Sequence, residues 1–385
     1  MTDHGFETLA LHAGQEPDPL TGSVVPPIYQ VSTYAQDGVG GLRNGYEYSR
    51  SGNPTRHALE QCLAALEAGT DGFAFASGLA AEDTLLRAVC APGDHVVIPD
   101  DAYGGTYRLF AAVMSRWGVE WTSARLSDVE SVRAAMRPNT RVLWVETPTN
   151  PLLNIADIAA LADVAHAGGA LLAVDNTFAS PYLCTPAGFG FDYVLHSATK
   201  YIGGHSDLIG GVVCCSEEQM EGLRSTVIET GGTLAPLEAW LCMRGLATLE
   251  LRMVRHTATA SSLASFLEQH PKVQAVHHPS LTSHPQHAVA QRLLPKGSGG
   301  MLAFEVAGGV EAGTRFCDAV ELAWVAASLG GVHTLVGHAA STTHRQMDAG
   351  ARRAAGIADG LIRVSVGLED PDDIVRDFAG ALEKA

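Results

Sequence analysis

The residue with the most chemistry around it is Lys200, at the end of the stretch Asp192-Tyr193-Val194-Leu195-His196-Ser197-Ala198-Thr199-Lys200. The apolar run Tyr193 to Leu195 reads as a buried strand, and a hydroxyl-rich turn follows it. Ser197 and Thr199 stand three and one residues before the lysine, and Gly203 and Gly204 let the backbone double back. A lysine at the mouth of a strand with hydroxyls beside it suits a site that holds a phosphate and a carbonyl together. Lysine forms Schiff bases with carbonyls once its amine loses a proton, and pyridoxal phosphate (PLP) is the commonest cofactor using that reaction. This stretch alone is equally compatible with a surface lysine that follows a strand.

In an open parallel sheet ligands sit at the carboxyl ends of strands, so residues at other strand ends test the reading. Ser77-Gly78-Leu79 follows an apolar strand and opens a helix, where free backbone N–H groups make a phosphate site; a plain N-cap serine is the competing reading. Glu146-Thr147-Pro148-Thr149-Asn150-Pro151 is a loop fixed by two prolines that aims Asn150 outward, or simply a Pro-rich turn. Asp175 ends an all-apolar strand, where a carboxylate is costly unless it meets a positive charge such as a protonated pyridine nitrogen; a metal ligand or a helix N-cap competes. Tyr103 opens a helix and could stack on a flat ring or merely pack. Phosphate cup, aromatic, asparagine, aspartate and lysine thus fall in order along one expected sheet edge.

The elements that must position them follow from periodicity. Residues 1–53, rich in Gly, Pro, Tyr and Ser, form an extended arm that cannot build its own core and must lie on another surface. Pro54 opens a helix with Leu59, Cys62, Leu63 and Leu66 on one face, and Gly69 stops it. Strands are expected at 73–76, 95–98, 142–145, 171–174, 193–195 and 212–214, with helices at 79–89, 103–117 and 157–166. That alternation predicts an α/β fold, a mostly parallel doubly covered sheet over 54–245. After about residue 245 a long helix (246–269) and strands at 273–276, 301–306 and 361–366 read as a smaller α+β domain, 246–385.

Composition narrows the partners. The 385 residues carry a formal net charge of −17 with no basic block, so nucleic acid and anionic membrane are not expected. Seven cysteines without a CxxC read as reduced thiols in a cytoplasmic protein. The first residues, Met1-Thr2-Asp3-His4, lack a basic segment followed by an apolar run, and no apolar stretch reaches a membrane span, so neither a signal peptide nor a membrane anchor is expected.

The segments YEYSRSGNPTR (46–56), FASGLAA (75–81), DAYGGTYRLF (101–110), VETPTNPL (145–152), VDNTFASPYL (174–183), HSATKYIGGHSD (196–207), SLGGVHTL (328–335) and LIRVSVGLED (361–370) closely resemble the Cys/Met-metabolism PLP family, in order and over almost the whole chain. That family includes cystathionine γ-synthases, cystathionine γ-lyases, methionine γ-lyases and cystathionine β-lyases. The resemblance implies a fold-type I PLP-dependent enzyme, a homotetramer whose paired subunits share active sites. Lys200 would bind the aldehyde and Asp175 the pyridine nitrogen. Tyr103 would stack on the ring and serve as acid to a departing thiol. Ser77, Gly78, Leu79, Thr177, Ser197 and Thr199 would hold the cofactor, and Tyr48 and Arg50 would reach the neighbouring subunit's phosphate. Arg363 would grip the substrate α-carboxylate with help from Asn150 and Ser328. The implied reaction is γ-elimination on L-cystathionine, with homocysteine or methionine as further substrates; γ-replacement on an O-acylhomoserine and methionine γ-elimination are the alternatives.

Three positions depart from the resemblance. Ala327 stands where the γ-synthases and many γ-lyases carry a glutamate, which weakens a strict synthase. His333 stands where a glutamate is common, and Gly105 where methionine γ-lyases carry a cysteine. Readings outside the family fare worse. The pairs His338/His344 and His277/His278 lack the i, i+4 spacing and carboxylate of a metal site, so no metal is expected. No GxGxxG follows the early strands, against a nicotinamide dehydrogenase. A non-catalytic binding protein on this fold would have lost the lysine or the aspartate, and both are present.

Overall fold

The computed structural model describes residues 4–342, 350, 352 and 355–385. Two sheets organise them. The larger has seven strands, β1 (Asp71–Phe75), β2 (His95–Pro99), β3 (Glu120–Ala124), β4 (Thr140–Glu146), β5 (Leu171–Asp175), β6 (Tyr193–His196) and β7 (Gly211–Cys215), in the order β1-β7-β6-β5-β4-β2-β3. Only β7 runs against the others, pairing antiparallel with both β1 and β6. The carboxyl ends of the remaining six strands therefore share one edge. β2 and β7 are buried at every residue, which is why they read as continuous apolar runs.

Helices cover both faces. On one lie α1 (Phe6–His12), α2 (Pro54–Leu66), whose Asn53 caps Thr55 and Arg56, α6 (Ile158–Ala167) and the pair α9 (Pro236–Leu246) and α10 (Leu249–Glu268), in a core that continues into the smaller sheet. On the other lie α3 (Gly78–Val89), α4 (Gly104–Ala112) and α8 (Glu217–Thr230), around Phe73, Phe75, Phe110 and Trp144. The smaller sheet joins β8 (Val273–His277), β9 (Met301–Val306), β10 (Trp324–Val325), β11 (Leu335–His338) and β12 (Leu361–Ser365) in the order β10-β11-β12-β9-β8. β10 and β11 run parallel, and the other pairs are antiparallel.

Some expectations need correcting. The helix expected over 103–117 stops at Ala112; Val113 (φ −114°, ψ −64°) caps it, and a 3₁₀ turn, Met114–Trp117, carries the chain to Gly118. The long helix expected over 246–269 is α10, which begins at Leu249; α9, which precedes it and ends at Leu246, is not among the expected helices. The arm opens with a short helix, α1, seated by Phe6 on Tyr182 (ring centroids 5.2 Å apart). The rest of the arm is irregular and leaves Leu20 and Val24 91% and 80% exposed. No helix among the described residues is long and apolar enough to cross a membrane, and all seven cysteines are free thiols.

Candidate active site

At the shared carboxyl edge a pocket of about 380 Å³ opens between the two sheets. Twelve of the fourteen residues singled out from sequence line it: Ser77, Gly78 and Leu79 after β1, Tyr103 after β2, Asn150 after β4, Asp175 and Thr177 at β5, Ser197, Thr199 and Lys200 after β6, and Ser328 and Arg363 from the smaller sheet's side. Tyr48 and Arg50 lie elsewhere, at a surface shared with Gln30, Asn53 and Gly231, with the Arg50 guanidinium 5.5 Å from the Tyr48 ring centre. A larger hollow of about 850 Å³, lined by Asp71, Glu217, Glu218 and Glu221, is open to solvent and holds none of these residues.

The reactive amine is held by its neighbours. Lys200 Nζ donates to Ser328 Oγ at 2.7 Å. Burial, joined by the Arg363 guanidinium, pulls the amine down to about 8 from its ordinary 10.5, and Asp175 opposes them. Ser328 is itself in the left-handed region (φ 77°), uncommon for a residue with a Cβ, which turns its hydroxyl to Lys200 while its carbonyl accepts from Arg363 Nη2 at 2.8 Å. Arg363 sits mid-β12 between the small residues Gly337 and Ala303, and its Nη1 donates to Asn150 Oδ1 at 3.3 Å. Asn150 faces the pocket and is almost fully buried. A guanidinium buried to 8% exposure with only neutral acceptors is an anchor for an incoming carboxylate.

The opposite wall fits a phosphorylated ring. Ser77 is indeed an N-cap, its Oγ accepting from Ala80 N at 3.0 Å, so the competing reading of that residue holds too. The first-turn N–H groups of Gly78 and Leu79 have no helical carbonyl to meet. The cradle tolerates no larger residue: a Cβ on Gly78 would come within 3.0 Å of the Ser197 side chain, and one on Gly211 within 2.2 Å of the Ser77 carbonyl. Thr177 Oγ1 accepts from Ser197 N (2.8 Å), locking the β5 and β6 ends together. Asp175 is buried, which pushes its carboxyl up, while Thr177, His196 and Lys200 pull it down. A cationic ring nitrogen beside it would add to that downward pull. Tyr103 is 43% exposed at the rim, and its ring occupies the space a Cβ on Gly105 would take (2.2 Å from Cε1).

Three further charged groups line the pocket that sequence reading did not choose: Glu82, Arg108 and Glu146. Glu146 pairs with Asp175 in register across β4 and β5, and its Oε2 accepts from Tyr103 N at 2.8 Å. It ends an apolar strand as Asp175 does, so the rule that found the aspartate also points to it. Among the described residues no cluster of His, Cys, Asp and Glu could hold a metal ion. His338 bonds Ser341 and the Asp359 carbonyl, His277 meets Glu305, and His344 lies outside the described residues.

Comparison with known proteins agrees with this geometry. The family described as Cys/Met metabolism PLP-dependent enzyme matches residues 7–383. A cystathionine gamma-synthase of Mycobacterium tuberculosis is 50% identical over 379 residues, 98% of this chain and 97% of the relative. A cystathionine gamma-lyase of Bacillus subtilis is 48% identical, covering 98% of this chain and 99% of its own. The solved cystathionine gamma synthase of Xanthomonas oryzae pv. oryzae, in complex with aminoacrylate and cysteine, superposes with a TM-score of 0.96 at 43% identity, over 99% of this chain and 98% of that one. The chain belongs to the family of Cys/Met metabolism PLP-dependent enzymes, and PLP is its cofactor.

Proposed function

We propose that the protein is a carbon–sulfur lyase that cleaves L-cystathionine by γ-elimination, giving L-cysteine, 2-oxobutanoate and ammonia, with homocysteine and methionine as lesser substrates. The observation that carries it is the placing of Lys200 Nζ, drawn toward its unprotonated form, in the same pocket as the Arg363 guanidinium. Arg363 would hold the substrate α-carboxylate, with Asn150 and the Ser328 carbonyl fixing the guanidinium plane. Lys200 Nζ, once released by the substrate amine, would take the proton from Cα, pass it to the carbon that had carried the aldehyde and, as a free amine again, take one from Cβ. Tyr103 at the rim would give its hydroxyl proton to the departing sulfur. Bound PLP supplies an electron-accepting ring that Asp175 keeps protonated at nitrogen. Ala327 lines the pocket with a methyl group and offers no carboxylate to the distal ammonium of cystathionine, which weakens a strict synthase and admits less polar substrates such as methionine.

A second reading, γ-replacement on an O-acylhomoserine by cysteine, is favoured by relatives named cystathionine gamma-synthase at 48–50% identity. One assay separates the two: PLP-loaded protein is given L-cystathionine, L-methionine, L-homocysteine, and an O-acylhomoserine with cysteine, side by side. The expected product is 2-oxobutanoate from cystathionine at the highest rate. Pyruvate in its place would mean β-elimination, and cystathionine formed from the acylhomoserine with little 2-oxobutanoate would establish the replacement reading.

A further inference from the structure

Glu82 lies one helical turn beyond Gly78 on α3 and lines the pocket at 3% exposure. Its Oε2 accepts from Thr106 Oγ1 at 3.1 Å, and its Oε1, equally buried, has no partner. Two more buried carboxylates line the same pocket, Glu146 and Asp175, and all three are close enough to repel one another. Repulsion among three buried carboxylates is relieved if one of them keeps a proton.

Hydrogen bonds decide which group keeps it. Asp175 accepts from Thr177 N at 3.0 Å and faces His196 and Lys200. Glu146 accepts from Tyr103 N at 2.8 Å. Each backbone N–H pulls its carboxylate toward the anion, against the burial that pushes both up, because an N–H cannot accept in return. Glu82 has only a hydroxyl, which can donate or accept, and its other neighbour along the helix is acidic Asp83. Lys200, Arg363 and Arg108 also line the pocket, yet Glu82 makes no ion pair with them. We propose that Glu82 is a positioning residue that holds a proton inside the cofactor pocket as a neutral acid, so that it adds no third negative charge to those of Asp175 and Glu146 around the cofactor's ring. Burial and the charge of Asp175 push the Glu82 carboxyl well up, in keeping with this. The consequence is one negative charge fewer around the ring.

This rests on the PLP site, not on which sulfur substrate is used. The test is infrared spectroscopy at neutral pH on the holoenzyme and on protein stripped of PLP, each compared with Glu82→Gln and Glu146→Gln. Subtracting the E82Q spectrum from wild type should leave a carboxylic-acid carbonyl stretch in both samples, and subtracting E146Q should leave none. Acids elsewhere, such as buried Glu60 pushed up to about 7, cancel in the difference. Raising the pH should remove the wild-type band and move the absorbance of bound PLP in the same step, and E82Q should lack that absorbance step. An E82Q difference without the acid band, or a band that appears on subtracting E146Q instead, overturns the proposal. If E82Q does not fold, Glu82→Asp must shift the band's frequency, and an unshifted band overturns it equally. Because stripped protein carries the band too, a failed product assay and a failed proton assignment remain distinguishable.

Discussion

Lys200 is pulled two ways: burial and Arg363 expel its proton, and Asp175 retains it. Its amine therefore changes state near pH 8, not at its ordinary 10.5. Below that pH the ammonium predominates and cannot attack an aldehyde; above it the free amine can. PLP added to stripped protein should bind covalently at a rate that climbs with pH and levels off above about 8, followed by absorbance. A rate still climbing toward pH 10 would show an unperturbed lysine, and Lys200→Ala should abolish the absorbance change altogether. Asp175 was legible because it closes an apolar strand, where a charge needs a reason, and Lys200 because it stands in the hydroxyl-rich turn just after one. Glu82 was not, since one carboxylate inside a helix reads as solvated until the neighbouring Thr106 and Asp175 are in place. Arg363, a lone arginine on a strand, could be chosen only by resemblance; its meaning comes from Gly337 and Ala303 beside it and Asn150 across the pocket.

The strand ends that carry Asp175 and Ser197 are tied from behind by one carboxylate. Glu67, the residue closing α2, is fully buried; its Oε1 accepts from Asn176 Nδ2 at 3.0 Å and meets His196 Nε2. Asn176 follows Asp175 and His196 precedes Ser197, so Glu67 sets the relative height of the nitrogen partner and the phosphate cup. Removing one member of a buried charged network strands the others without water. Glu67→Ala should cost about 3 kcal/mol of stability by chemical denaturation and weaken PLP retention as well; a cost below about 1 kcal/mol would mean the site is held by other contacts. Element by element, the apolar runs of β2, β4, β5 and β7 announced themselves because both faces are covered. β3 did not: Glu120-Trp121-Thr122-Ser123-Ala124 is an edge strand only half-buried, with no apolar run to mark it. α8, carrying four glutamates and burying only Met220, Leu223 and Val227, offers an equally thin stripe.

Across the molecule, the arm lies away from the pocket, with Tyr48 and Arg50 at a separate surface. Tyr48 is 44% exposed and Arg50 is also exposed, both outside the pocket, on an arm that leaves Val24, Val25 and Val39 in solvent. Solvent-facing Leu237, Leu251 and Val254 on α9 and α10 add more uncovered apolar surface. We propose that a second copy of the chain covers this surface and brings an arginine to a phosphate at once, which would make the arm a working part in place of a coreless appendage. We expect Arg50→Ala to weaken PLP retention by about tenfold or more, the worth of one charge-assisted hydrogen bond to phosphate, measured by titrating stripped protein. Sedimentation should show the association state of the variant unchanged, since the guanidinium would act on the ligand and not on the subunit contact. Full PLP affinity in Arg50→Ala would mean that each subunit holds its cofactor alone. Lost affinity together with dissociation into single chains would instead assign Arg50 to the subunit contact and leave the phosphate to Ser77, Gly78, Leu79, Ser197 and Thr199.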